Sequence, residues 1–589
     1  MEQPIRISPD DNETLEQRYR AGKAMARGLS EGFEGPARAR IARAFCASML
    51  ASYWKSLCRA RGIGWRTKPA PGSGAPLSGS ATTLALELGE LLAQFPPEQS
   101  GYMAGSVYTV MLPDEARTST GAYYTPPVLV ERLLNLAETT GFDFSKGTVI
   151  DPACGGGAFL APVAMRMWGV GKSGSAELVL RRIAARLRGI EIDPFAAWMS
   201  QTLLEAALLP LCIEAGTRMP EVITIGDALK HADIGKFGLV IGNPPYGRVT
   251  LAKGVRENYA RSLFGHANLY GLFTDLALRL CDAGGVVAFV TPTSFLGGQY
   301  FKSLRGLLTA EAQPVAFDFV ADREGVFDDV LQETMLATYR RGSGESAVTV
   351  SAITPHEDGT MNLETVGEFR VGGEDPWVLP RSPQQAEYFR HLQNLPTRLR
   401  DIGYSVSTGP LVWNRHKEQL RRDASKRTLP LVWAECVTTG GFAFSAERRN
   451  HVPFIEVYTS QPHLRTDQPC VLVQRTTSKE QDRRIVAAVL PASFLRIHGA
   501  AVVENHLNMI YRDGTPLVRL ETLAALLNSL AVDHAYRCIS GSVAVSAYEL
   551  NALPLPSIAA LKELEVLLAA RAERNVVEDF ITKAYGNGA

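Results

Sequence analysis

The residues best suited to chemistry lie in LVIGNPPYGRV (239–249), where a buried, apolar run leads directly into Asn243, Pro244, Pro245 and Tyr246. Both prolines lack an N–H and fix φ, so the carbonyls and the Asn side chain are held rigidly outward. That arrangement suits a planar amine, whose lone pair is delocalised into a ring or a carbonyl. The Asn243 side-chain oxygen and the Pro244 carbonyl can each accept one of its N–H groups. Drawing both protons out of plane makes the nitrogen more nucleophilic, while Tyr246 stacks on the adjoining π system. A proline-stiffened turn would explain the two prolines, but not a strand running straight into the whole tetrapeptide.

Three acidic positions precede it. VIDPACGGGAFL (149–160) ends a strand in Asp151, turns through glycines and enters a helical AFLAPVAMRMW. Glycines allow a ligand to approach where any Cβ would block it, although such a turn by itself is also a common connection. LRGIEIDP places Glu191 at the end of the next strand, where a carboxylate can accept two ribose hydroxyls. Asp193 before Pro194 has the form of a helix cap. In GDAL (226–229), Asp227 follows another strand and could accept from the exocyclic amine of an adenine ring, though Asp after Gly is usually only a turn.

These positions need a scaffold, and the pattern from about Gly121 to Arg341 supplies one. GTVI (147–150), LRGIEI (187–192), FGLVIG (237–242), GGVVAFV (284–290) and AFDFV (316–320) are short and apolar, with amphipathic helical stretches between several of them. Such alternation predicts a parallel sheet covered on both faces, a doubly wound Rossmann-like α/β domain. The preceding ETLEQRYRAGKAMARGL, ARARIARAFCASMLASYWKSL and LALELGELLAQF read as amphipathic helices, interrupted by a flexible KPAPGSGAPLSGS (68–80). After Arg341 the alternation is lost, and short strands mix with Arg-rich loops before two closing helices. The expected division is a helical region over 1–115, an α/β domain over 116–345 and a mixed α+β domain over 346–589.

Composition limits the function classes. With 589 residues, 46% hydrophobic and 21% charged, the chain has the make-up of two or three folded domains and not of a disordered one. Its 61 basic and 61 acidic residues balance, which argues against wholesale coating of nucleic acid but allows a local basic face. No long apolar run and no apolar leader are visible, so neither membrane insertion nor secretion is expected. The eight cysteines are scattered, with no zinc or redox spacing, which fits a reducing compartment and predicts a cytoplasmic chain without a bound metal.

Taken in order, GAYYTPP (121–127), DPACGGGAF, IEIDP, GDAL and NPPY resemble the gamma-class, Taq-type N6-adenine DNA methyltransferases, which use S-adenosylmethionine. The resemblance covers roughly 121–341 by motif. It implies that Thr125, Asp151, Ala153 and Gly155 hold the methionine part of the cofactor, Glu191 its ribose and Asp227 its adenine. It likewise implies Asn243 and Pro244 as the catalytic pair, with Tyr246 stacking on a flipped base and Phe327 packing on its other side. Cys154 departs from the pattern and reads as a small apolar filler, not a nucleophile.

The carboxyl domain carries WNRHKEQLRRDASKR (413–427) and VLVQRTTSKEQDRR (471–484), whose Arg415, Lys417, Arg421, Arg475 and Lys479 suit phosphate and base-edge contacts. Charged runs are often only solvated faces. VVENHLNMIY (502–511) adds Asn505, His506 and Asn508 after a strand, and the whole region resembles the target-recognition domains attached to gamma-class enzymes. Double-stranded DNA is therefore the expected partner, with a separate restriction endonuclease as a possible second. Enzymes that methylate a protein glutamine amide share NPPY, but resemble a compact domain lacking such a carboxyl region. N4-cytosine enzymes more often carry Ser at the position of Asn243. A fused nuclease of the acid-x-Lys type is disfavoured, because none of the fourteen lysines has Asp or Glu two positions before it. A catalytically dead DNA-binding subunit would have no need for both NPPY and the glycine turn.

Overall fold

Runs of consecutive apolar residues become interior strands. Leu239, Val240 and Ile241 are all fully buried, so the strand they form is covered on both faces. The computed structural model describes residues 14–115, 117, 125–171, 173–230, 234–320, 333–342, 344, 347–356, 360–476, 483–539 and 544–586. The chain divides into two compact units, residues 1–292 with 306–364, and residues 293–305 with 365–589.

In the first unit, β1 (Val149–Asp151), β2 (Leu187–Glu191), β3 (Ile223–Ile225) and β4 (Phe237–Gly242) are followed by a short antiparallel pair, β5 (Arg248–Val249) and β6 (Ala267–Asn268). β7 (Cys281–Pro292), β8 (Ala312–Val320), β9 (Thr334–Arg341), β10 (Ala347–Pro355) and β11 (Met361–Arg370), which runs across the division at residue 364, come next. The nine-stranded sheet has the order β11-β10-β8-β9-β7-β4-β1-β2-β3. The expected doubly wound sheet is present, and β3, β2, β1, β4 and β7 run parallel. Among the described pairings, one strand departs from the parallel expectation. β9 inserts antiparallel between β7 and β8, pairing with both.

The helical region forms α1 (Leu15–Glu31), α2 (Gly35–Arg59), α3 (Gly79–Leu92) and α4 (Pro97–Met111). A reciprocal capping box starts α1, with the Gln17 N–H on Thr14 Oγ1 at 3.2 Å and the Thr14 N–H on Gln17 Oε1 at 2.8 Å. The sheet carries α5 (Pro127–Thr139), α6 (Leu160–Val170), α7 (Ala176–Arg186), α8 (Pro194–Ala207), α9 (Leu209–Ala215), α10 (Lys253–Asn258) and α11 (Leu269–Leu280). Phe45, Trp54, Leu84 and Val107 of the helical region share one core with Phe195, Met199 and Leu203 of α8. The stretch expected to be a flexible loop is pinned at its start, where the Lys68 carbonyl accepts from Trp198 Nε1 at 3.0 Å.

The second unit contains an antiparallel sheet in the order Tyr404–Thr408, Leu507–Arg512, Cys470–Gln474, Ala487–Leu490. Beside it a mixed sheet runs Leu420–Arg421, Phe454–Glu456, Thr428–Val432, Ala501–Val503, Arg465–Thr466. Leu431, Leu472, Val502 and the fully packed Trp433 lie in their common core. Two helices, Ile558–Ala569 and Arg574–Ala584, come last. Across both units the eight cysteines are free and buried. Among the described residues no single helix is long and apolar enough to cross a membrane, and no group of three or more His, Cys, Asp or Glu could hold a metal ion.

Candidate active site

Parallel strands in one sheet bring their carboxyl ends to one edge, so residues that end successive strands become neighbours. Asp151 ends β1, Glu191 ends β2, Asp227 follows β3 and Asn243 follows β4. All four line one cavity of about 410 Å³, together with Thr125, Ala153 and Gly155. The expected cofactor residues are thus gathered in one place.

Each acid has a different setting. Glu191 is 8% exposed, and its two oxygens accept the Gly155 and Asp193 N–H groups, both at 2.9 Å. A carboxylate has about four acceptor positions, so capacity for hydroxyls remains. Burial holds this carboxyl above the ordinary range, against the pull of those two N–H groups. Asp151 is 1% exposed; Oδ1 accepts the Ala153 N–H at 3.0 Å, and Oδ2 is buried without a partner. Burial, with the Glu191 charge nearby, pushes it up to about 8. Asp227 is more open, and its Oδ1 accepts the Leu229 N–H at 3.1 Å while Lys230 Nζ lies 3.3 Å from Oδ2.

Close packing explains two of the glycines. A Cβ at Gly242 would meet Asp151 Oδ1 at 2.6 Å, and one at Gly157, where φ is +88°, would meet Ser200 Oγ at 2.5 Å. Cys154 is buried against Gly189, whose added Cβ would meet its Sγ at 3.0 Å; burial pushes the thiol well up, as befits a filler.

The Asn243 amide is held at both ends. Its Nδ2 donates to Thr125 Oγ1 at 3.2 Å, and its Oδ1 accepts from the Tyr246 hydroxyl at 2.7 Å. The Tyr246 hydroxyl also lies 3.3 Å from the Val290 carbonyl, and its ring meets Tyr270 edge-on with centroids 6.1 Å apart. Thr125 therefore does more than line a cofactor pocket, and Tyr246 is a tether as well as an aromatic face. One acceptor position on Asn243 Oδ1 remains. Pro244 is buried beside the cavity, which Asn243 and Pro245 line. Phe327 and Gly121–Tyr124 of the GAYYTPP segment lie outside the described residues. Sequence reasoning missed Tyr108, Ile192, Val255 and Phe273, which also line the cavity. Ile192 follows Glu191 directly and is 58% exposed, a signal legible only once its neighbours were placed.

In the second unit the candidate contacts separate. Leu411 bridges to Glu504, the Asn505 N–H donates to the Leu411 carbonyl at 2.9 Å, and Arg475 donates from Nη1 to the Asn505 carbonyl at 3.2 Å. The turn holding Asn505 and His506 thus meets both the 411–417 segment and Arg475. His506 is exposed, but its backbone N–H and Nδ1 both lie on the fully buried Glu504 carboxylate, at 2.7 and 2.8 Å. Arg415 and Lys417 are exposed, with Lys417 Nζ 5.7 Å from the centre of the Trp413 ring. Arg421 differs from its expectation. Its guanidinium is engaged by Glu456 at 2.7 Å and by the Glu418 and Leu420 carbonyls, which leaves it the least freedom to meet a phosphate. Asn508 is fully buried and braces Thr408 and the Val545 carbonyl. Lys479 lies outside the described residues.

Comparison with known proteins bears on this geometry. Residues 212–327 match the family model of the Eco57I restriction-modification methylase. The Type II methyltransferase M.BsuBI of Bacillus subtilis is 26% identical over 384 residues, covering 62% of this chain and 71% of its own. The chain is a methyltransferase of the restriction–modification type. A second relative of this methyltransferase, M.PstI of Providencia stuartii, is 28% identical over 341 residues, covering 56% of this chain and 67% of its own. The methyltransferase also shares its fold with the Type IIL restriction-modification enzyme MmeI, solved in complex with DNA, at a TM-score of 0.52 and 13% identity over 100% of this chain and 97% of that one. Its cofactor is S-adenosylmethionine, and the cavity fits it. Glu191 retains acceptor capacity for hydroxyls, and the partnerless Asp151 Oδ2 is a buried polar atom on the wall. Ile192, Leu229 and Phe273 supply apolar surface for a ring.

Proposed function

We propose that this methyltransferase acts on the exocyclic N6 amine of an adenine swung out of double-stranded DNA, at a fixed sequence, as the modification arm of a restriction–modification system in the cytoplasm. One observation carries the choice of chemistry: Asn243, at the end of β4, is clamped by Thr125 and Tyr246 with an acceptor position left over. S-adenosylmethionine, when bound, supplies the methyl group. The chain's own residues prepare the nucleophile. Asn243 Oδ1 and the Pro244 carbonyl each accept a hydrogen bond from one of the two amine N–H groups, turn the lone pair toward the cavity and disperse the charge that develops on nitrogen. Extruding the base costs a few kcal/mol, and stacking on Tyr246, and on Phe327 if it lies opposite, returns about 1–3 kcal/mol per ring.

Residues 346–589 are proposed as the target-recognition domain. Arg415 and Lys417 would meet phosphates, while Arg475, Asn505 and His506 would meet base edges. The exposed Arg415 and Lys417, and Arg475 on the Asn505 turn, favour DNA over a protein glutamine, and Asn at 243 favours adenine over cytosine. The test is to methylate a DNA library and a host protein extract with labelled cofactor, then to identify the modified nucleoside or residue by mass spectrometry. N6-methyladenine in one sequence context is the expected product; N4-methylcytosine or methylglutamine overturns the proposal.

A further inference from the structure

We propose that the helical region is a working wall of the cofactor cavity, with Tyr108 and Arg43 acting as positioning residues for the loop Glu191–Ile192–Asp193. Tyr108, on α4, is 2% exposed and lines the cavity, and its hydroxyl donates to Asp193 Oδ2 at 2.9 Å. Arg43, on α2, donates to Asp193 Oδ1 at 3.4 Å. The same Oδ1 accepts the Phe195 N–H at 3.0 Å, which caps α8, and the Asp193 N–H donates to Glu191 Oε1 at 2.9 Å. Glu191 Oε2 in turn accepts from the glycine turn at Gly155. A continuous run of hydrogen bonds therefore leads from the helical region, through Asp193 and Glu191, to the turn behind the cavity.

A plain helix cap needs only the Phe195 N–H. Two additional donors, from helices far upstream in sequence, engage both oxygens of the Asp193 carboxylate. Their effect falls on Ile192, which sits between two anchored neighbours and is 58% exposed while lining the cavity. Its side chain must meet whatever fills that space. Burial pushes the Tyr108 phenol up, so it remains a neutral donor. The competing explanation is that α1–α4 only bury one face of α8, through the core shared with Phe195 and Met199.

Tyr108→Phe separates the two. It keeps the ring, whose centroid lies 5.0 Å from that of Phe195, and removes only the hydroxyl. Calorimetric titration with S-adenosylmethionine should show binding weakened about three- to tenfold, part of one hydrogen bond to a charged group, because that bond is already made without cofactor and only its ordering of the loop reaches binding. Thermal unfolding without cofactor should fall by a few degrees on either explanation, so cofactor affinity is the readout that separates them. Added to Asp193→Asn, Tyr108→Phe should have little further effect, because it acts through that carboxylate. An unchanged affinity in Tyr108→Phe overturns the inference, as does the same full loss on top of Asp193→Asn. The inference rests on the cofactor and not on the choice of target base. A wild-type chain that takes up no S-adenosylmethionine would overturn the cofactor assignment with it, whereas equal uptake by wild type and variant overturns this inference alone.

Discussion

Replacing Tyr246 by Phe tests whether the hydroxyl, and not only the ring, prepares the target amine. The substitution removes the donor that meets Asn243 Oδ1 at 2.7 Å and keeps the ring, with its edge-on contact to Tyr270. A neutral hydrogen bond of this kind contributes about 0.5–1.5 kcal/mol net. If all of it serves to hold the amide in its working orientation, the transfer rate should fall about 2- to 12-fold, at 1.4 kcal/mol per tenfold. Thr125→Val removes the other anchor, the acceptor 3.2 Å from Asn243 Nδ2, and leaves a half-buried N–H facing a methyl group. That costs about 1–3 kcal/mol. The two changes share one amide and should be non-additive, with a coupling of at least about 0.5 kcal/mol in a double-mutant cycle. The assay is single-turnover transfer of a labelled methyl group to duplex DNA with cofactor and DNA both saturating, and with cofactor affinity measured alongside. A Tyr246→Phe enzyme with the wild-type rate would refute the clamp. So would additive losses, which would make Thr125 and Tyr246 independent of a shared amide.

Three other outcomes follow from the geometry. Burial pushes Asp151 up to about 8, so the fold favours its protonated form; the stability this lends is complete below the unfolded value of about 3.9 and is lost as pH rises through about 8. Asp151→Asn should therefore flatten the fall in unfolding temperature between about pH 5 and about pH 9, and a slope equal to that of wild type would contradict it. Lys417→Ala should weaken binding to DNA of any sequence and lower the salt slope by about one, whereas Arg421→Ala, which loses Glu456, should lower thermal stability and spare affinity. If both variants lose affinity alike, as their common basic run would suggest, the distinction drawn from the structure fails. Glu504→Gln should loosen the His506 ring and relax site preference at one base position, by about 1–3 kcal/mol; methylation profiling on a randomised library that returns the wild-type site removes that role.

How much of this was legible in sequence depends on how local the determinant is. Asp151, Glu191, Asp227 and Asn243 each follow a short apolar run and precede a turn, so their placement at successive strand ends could be read from neighbouring residues alone. Gly242 could not be explained that way, since its need for a hydrogen side chain comes from Asp151 on the adjacent strand. Tyr108 reads as one more apolar position of a helix; its partner is 85 residues away. The partner that engages Arg421 is 35 residues away, and no feature of a basic run distinguishes a committed arginine from an open one. The antiparallel β9 was hidden for a similar reason. Its direction is set by which strands it pairs with, and a run such as TMLATYRR carries no mark of them.

The burial of all eight cysteines has a practical consequence for following this protein in solution. Burial pushes every one of these thiols up, so little thiolate is present in the folded chain to react with an alkylating dye. A single cysteine introduced at an exposed position, such as 415 in the second unit, would then be the preferred point of attachment without removal of the native ones. Fluorophores could be placed singly on either unit, and release of native thiol reactivity would itself report the loss of the core.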